Sequence, residues 1–155
     1  MKRCLVYIFF VFLNSAVFSQ KMPDFPYWLQ GIWEIQSETG SSYEKWEKVN
    51  DTLYFGTTFR IFNSDTIVFD TMKLKIADEM VLYEMSASIG NMIVCASYPQ
   101  QRPDVSVWKY ENTLIDYPLN INYMRMGNDT VYVWTEAKDE NVACMDYLMI
   151  RFKNE

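Results

Sequence analysis

The chain predicts an all-β domain, a single antiparallel up-and-down β-barrel of about eight to ten strands, and three observations point to it. Apolar residues recur mostly at every second position, the spacing of strands. The apolar runs are separated by short Asn, Asp and Gly turns, and no convincing long amphipathic helix interrupts them. Aromatic residues make up 17% of the sequence against 5 Gly and 5 Pro, a composition that favours a packed domain over disorder. A sandwich is the other architecture that this pattern admits.

The first segment, residues 1–19, reads as a signal peptide. Lys2 and Arg3 give a short positive start, Leu5 to Leu13 is apolar throughout, and Asn14 to Ser19 supplies small and polar residues. Val17 and Ser19 occupy the positions a signal peptidase would read. The apolar run falls short of the roughly 20 residues that span a bilayer, so no integral membrane span is expected after cleavage. Cys4 precedes that run, whereas a lipid-anchored cysteine would follow it. The expected location is therefore outside the cytoplasm, periplasmic or extracellular. Residues 20–27 read as an N-terminal arm and residues 28–155 as one barrel domain.

Strand signals then follow in order. Leu53, Phe55, Thr57, Phe59 and Ile61 alternate with Tyr54, Gly56, Thr58, Arg60 and Phe62. Ile67 and Phe69 continue a second run whose apolar phase shifts to Met72, Leu74 and Ile76, and such a shift suggests a bulge that bends the sheet towards closure. Val81, Tyr83, Met85 and Ala87 alternate again. Ile121 with Tyr123, Val131 with Val133, and Leu148, Ile150 and Phe152 mark three later strands. Asn50-Asp51-Thr52, Asn63-Ser64-Asp65-Thr66 and Gly127-Asn128-Asp129-Thr130 each separate two runs, and Ser88-Ile89-Gly90-Asn91 reads as another turn. Apolar residues on both faces of some strands, as at Tyr132 and Trp134 beside Val131 and Val133, make a homodimer contact a candidate.

Composition excludes several kinds of chemistry. There is no histidine, so histidine triads, histidine-ligated haem and the common zinc sites are ruled out. Without Lys2 and Arg3, 12 basic residues face 20 acidic ones, a net charge near −8. Such acidity disfavours nucleic acid and anionic lipid as partners. No cofactor or metal is expected. Cys95 and Cys144 remain after cleavage, and the sequence leaves open whether they form a disulfide or stay as small apolar thiols.

Trp28-Leu29-Gln30-Gly31-Ile32-Trp33 places Gly31 two positions before Trp33, and Arg151 falls in the closing run. This arrangement resembles the Gly-x-Trp start of lipocalins and other calycins. The resemblance implies a lipocalin-like barrel in which Trp33 closes one end and Arg151 packs over it, with Gly31, Trp33 and Arg151 as structural residues. Tyr43-Glu44-Lys45-Trp46, and Tyr110-Glu111-Asn112 followed by Asp116-Tyr117-Pro118, Ile121, Tyr123 and Arg125, extend the likeness. Together they are similar to a bacterial family described only as a domain of unknown function, with a pattern of the type F-E-N-P-x-H-D-F-P. The likeness spans Trp28 to Glu136. Thr113 and Ile115 stand where that pattern has Pro and His, so any chemistry of the histidine is lost here.

Glu111 and Asp116 are the carboxylates that invite a chemical reading. Paired carboxylates can divide acid and base work, or bind a hard cation with help from Asn112. The favoured reading is plainer: Asn112 and Asp116 fasten a turn, and Glu111 pairs with Arg125 or another basic group. No second chemical feature supports catalysis, and no catalytic residue is assigned. Tyr43, Trp46, Tyr83, Trp108, Glu111, Asn112, Asp116, Tyr123 and Arg125 are the candidate ligand-binding residues. The leading functional expectation is a non-enzymatic barrel binding a small apolar or amphipathic ligand. The alternative is a structural or interaction barrel with a filled core, and a carboxylate-dependent hydrolase or isomerase ranks third.

Overall fold

A computed structural model describes residues 25–153 apart from 39, 78–79, 90–91 and 102–106, with the side chains of 87–89, 92–97 and 101 also outside the description. The signal segment, most of the arm, Cys4 and the Gly90-Asn91 turn lie outside these residues. Ten strands follow one another: β1 (Gly31–Ser37), β2 (Gly40–Asn50), β3 (Leu53–Phe62), β4 (Asp65–Ala77), β5 (Met80–Ile89), β6 (Met92–Gln101), β7 (Val107–Glu111), β8 (Asn120–Arg125), β9 (Thr130–Glu136) and β10 (Asp146–Arg151). Each pairs antiparallel with its neighbours in sequence, and β1 pairs with β10. The sheet is a closed up-and-down barrel, with no edge left unpaired. No helix among the described residues is long and apolar enough to cross a membrane.

The turns work as their chemistry requires. Asn63 and Ser64 both adopt positive φ, 49° and 70°, the conformation a two-residue hairpin demands between right-twisted strands. Asn50 Oδ1 accepts hydrogen bonds from the Thr52 amide and hydroxyl at 2.9 and 3.0 Å, holding the β2–β3 turn. The phase shift in β4 is a bulge: Thr58 pairs with Asp70 but Phe59 pairs with Val68, so Phe69 is the extra residue.

Alternation puts Trp33, Trp46, Tyr54, Leu74, Tyr83, Tyr98 and Tyr110 inside the barrel, where all are essentially buried. One end is sealed. A 3-10 turn, Tyr27–Leu29, lies there with Phe25, whose ring sits 4.7 Å from that of Tyr54. Trp33 Nε1 donates to Leu29 O at 2.7 Å, tying the turn to the floor of the barrel. The Arg151 guanidinium lies 4.1 Å above the Trp33 ring and donates to the carbonyls of Gln30 and Trp28 at 3.0 and 2.9 Å. Gly31, with φ 124°, makes room for it: a Cβ at that position would meet Arg151 Nη1 at 2.7 Å. Gly56 does the same for Trp46, whose ring atoms would stand 2.9 Å from a Cβ.

The opposite end carries the 112–119 loop. Asn112 Oδ1 accepts from the Leu114 amide at 3.0 Å, and the Asn112 amide donates to Leu119 O at 2.9 Å. Ile115 packs against the core, and the Tyr117 hydroxyl meets Thr135 Oγ1 at 3.1 Å. The loop thus folds two side chains back onto the barrel.

Candidate functional site

A single row of paired positions runs from the sealed end across five strands: Arg151, Trp33, Glu44, Thr58 and Asp70. Paired residues share a face of the sheet, so all five look inward with Trp33. Glu44 is therefore a carboxylate inside the barrel, only 1% exposed. Trp46 Nε1 donates to Glu44 Oε1 at 2.6 Å, and the Tyr123 hydroxyl donates to the same oxygen at 3.3 Å. The Tyr83 hydroxyl lies 3.3 Å from that of Tyr123, extending the polar chain across the interior.

Burial pushes the Glu44 carboxyl up from 4.5 to about 7. The bonds from Trp46 and Tyr123 oppose that rise, and the charge of Asp70 adds to it. Burial raises Asp70 as well. Tyr83, Tyr123 and Tyr147 are held well above the ordinary phenol range by burial first and then by the charge of Glu44. The Tyr110 hydroxyl is buried, its acidity suppressed by desolvation, and it has no hydrogen-bond partner among the described residues. Its ring packs 5.3 Å from that of Tyr83.

The sequence-derived ligand residues do not converge. Trp46, Tyr83, Trp108 and Tyr123 line the interior, where alternation from Trp33 puts them. Tyr43 faces outward, stacked 5.4 Å from Phe59 and edge-on to Phe152 at 5.5 Å. Glu111 is opposite Asn120 on the outer side of β7 and β8. Asn112 fastens the loop. Asp116 is exposed and pairs with Lys138 Nζ at 3.3 Å. Arg125 lies at the far end of β8 from Glu111 and bonds the β8–β9 turn through Gly127 O at 2.6 Å and Asn128 Oδ1 at 2.8 Å. The possible Glu111–Arg125 pair is thus not made, because a whole strand separates them. Cys144 is a free, exposed thiol, and the side chain of Cys95 lies outside the described residues.

Glu44, Asp70 and Tyr147 are among the inward polar residues missing from that set, as are Thr58 and Tyr110. The signal for Glu44 was present: it stands two positions before Trp46, hence on the same strand face. A second group without a sequence signal is the cluster of Asn120, Asn122, Trp134 and Glu136. Both asparagines are buried on the outer side, and both donate to the Glu136 carboxylate, as does Trp134 Nε1 at 3.1 Å. No family model, curated protein or solved structure matches this chain. What fold and site define is a ten-stranded up-and-down barrel with a buried carboxylate among tyrosines.

Proposed function

We propose that this protein is a binding barrel that takes a small amphipathic ligand into the half of its interior nearest the 112–119 loop. One observation carries the reading. Ile35, Thr58, Asp70, Met85 and Tyr147 sit at inward positions, yet each keeps partial exposure, whereas Trp33, Trp46, Tyr54, Leu74 and Tyr83, inward towards the sealed end, are buried. Eight strands enclose little more than their own side chains, and ten enclose more. Ile35 and Met85 offer apolar surface for a tail, and the carboxylates and phenols offer a few placed polar groups to orient a head. The signal-like leader makes it an exported protein in this reading.

Titration with Nile red, an uncharged apolar dye, tests it. Saturable one-to-one binding is expected, and Met85→Trp or Ile35→Trp should weaken it by at least about tenfold, because either indole fills the accessible half. Non-saturating uptake, or equal binding by both folded variants, would overturn the reading.

A second reading is favoured by the β3–β4 hairpin, where Ile61, Phe62, Ile67, Val68 and Phe69 are all exposed, Phe62 at 60%. Exposed apolar side chains gathered on one hairpin suit an interaction surface, and a second copy of the chain is its simplest occupant. Light scattering over a concentration series decides: a strict monomer throughout counts against it.

A further inference from the structure

We infer that the polar end of the ligand is an organic cation, an ammonium on an apolar tail, held against Glu44 and Asp70 inside the barrel. This rests on the binding reading above and fixes the charge of the head group. Two carboxylates stand on one inner row with only Thr58 between them. The groups that face Glu44 from other elements are Asp70 on β4, Tyr83 on β5, Tyr123 on β8 and Tyr147 on β10, all acidic or neutral. On the β1 side stands Trp33, and the guanidinium beyond it is committed to two backbone carbonyls and to Asp129 at 3.5 Å. Arg60 lies two residues beyond Thr58 on the same face of β3, and its Nε is buried without a hydrogen-bond partner among the described residues. No ion pair joins it to Asp70, whose carboxyl is raised by burial. Among the described residues, neither Glu44 nor Asp70 is paired with a cation.

The orphan hydroxyl of Tyr110 is an independent sign. A buried hydroxyl without a partner is rare in native proteins and marks a place where a bound group completes the hydrogen bonding. Ionised carboxylates only accept hydrogen bonds, while the neutral phenol of Tyr110 can either donate or accept. A head that complements the two carboxylates must therefore donate. An ammonium supplies three donors together with the opposite charge, and the faces of Tyr83, Tyr123 and Tyr147 suit a cation further. A carboxylate head would meet two carboxylates. The formal charge of −6 draws cations towards the protein before contact.

Calorimetric titration of the full-length protein with octylamine, octanol and octanoate separates the possibilities. Octylamine should bind at least about tenfold more tightly than octanol, the scale of a desolvated cation–π contact. Glu44→Gln should abolish that preference, and it should shrink as the pH falls through about 7, where Glu44 takes up its proton. Asp70→Asn, at a partly exposed position, should reduce the preference without loss of fold, and it serves if Glu44→Gln does not fold. Octanol or octanoate binding as tightly as octylamine would overturn the cationic head, as would failure of all three octyl probes in a protein that binds Nile red. Failure of Nile red as well would remove the binding reading itself.

Discussion

The two halves of the barrel use the same residue types to opposite ends. At the sealed end, polar atoms of aromatic and basic side chains are paired off locally: Trp33 with Leu29 O, Arg151 with Trp28 O and Gln30 O. In the loop-side half, Glu44 is stripped of water and has two neutral donors but no cation among the described residues, while the Tyr110 hydroxyl has no hydrogen-bond partner among them. Stability is concentrated where the interior is full and satisfied. The other half keeps a buried carboxylate without a cation and a hydroxyl without a hydrogen-bond partner, both of which cost stability. A ligand that completed these bonds would offset such costs, and that contrast is what the proposed binding reading rests on.

The largest expected effect lies at the sealed end. Trp33→Ala removes a fully buried indole, its bond to Leu29 O and the ring beneath Arg151. The expected loss is about 3–5 kcal/mol in urea unfolding, the usual range for Trp to Ala in a core. A loss below about 1 kcal/mol would mean that the 3-10 turn and Arg151 seal the end without it.

Next in size is the pH dependence that Glu44 brings. Its carboxyl is raised from 4.5 to about 7 in the folded protein, so between these values the folded state holds a proton that the unfolded state has released. The contribution of Glu44 to stability is then greatest below pH 4.5 and is lost as the pH rises through about 7, a change of about 3 kcal/mol. The raised carboxyl of Asp70 adds in the same sense. Glu44→Gln removes the larger share, so unfolding measured at pH 5 and pH 8 should differ far less in the variant. Parallel pH profiles for the two proteins would show that Glu44 does not titrate in this window.

Much of the architecture was legible because its causes are local. Period-two alternation, the Asn-rich turns and the phase shift before Met72 each depend on neighbours a few residues apart, and each maps to a strand, a hairpin or the Phe69 bulge. The contact of Trp33 with Arg151 could be anticipated because a motif pointed to both ends of the chain. The site was less legible. Strand alternation puts Glu44 on the face of Trp46, but a carboxylate at an inward position contradicts the usual pattern. The aromatic Tyr43 beside it, which faces out, is the residue whose type suggests the interior. Whether Glu44 is solvated depends on Tyr83, Tyr123 and Asp70 from three distant strands, and barrel closure alone brings them together. Glu111 and Asp116 drew notice for being close in sequence, yet one is on an outer strand face and the other is on a loop.

The smallest expected effect is at Asp116, and it is the sharpest test of what the 112–119 loop does. Among the described residues the Asp116 carboxylate meets Lys138 Nζ at 3.3 Å, with the aspartate largely in water and the lysine partly so. Exposed pairs of this kind contribute about 0–1 kcal/mol, since solvent screens them and two long side chains lose freedom. The loop is held instead by bonds that Asp116→Asn leaves intact: Asn112 Oδ1 to the Leu114 amide, Tyr117 to Thr135, and the Lys138 amide to the backbone carbonyl of Asp116. Asp116→Asn should therefore shift stability by less than about 1 kcal/mol and leave Nile red binding unchanged. Asn112→Ala, which removes the side-chain acceptor of the turn, should cost about 1 kcal/mol. If Asp116→Asn were instead the more damaging of the two, the carboxylate would be fastening the loop after all, and the loop side of the barrel would be more firmly built than its unsatisfied interior suggests.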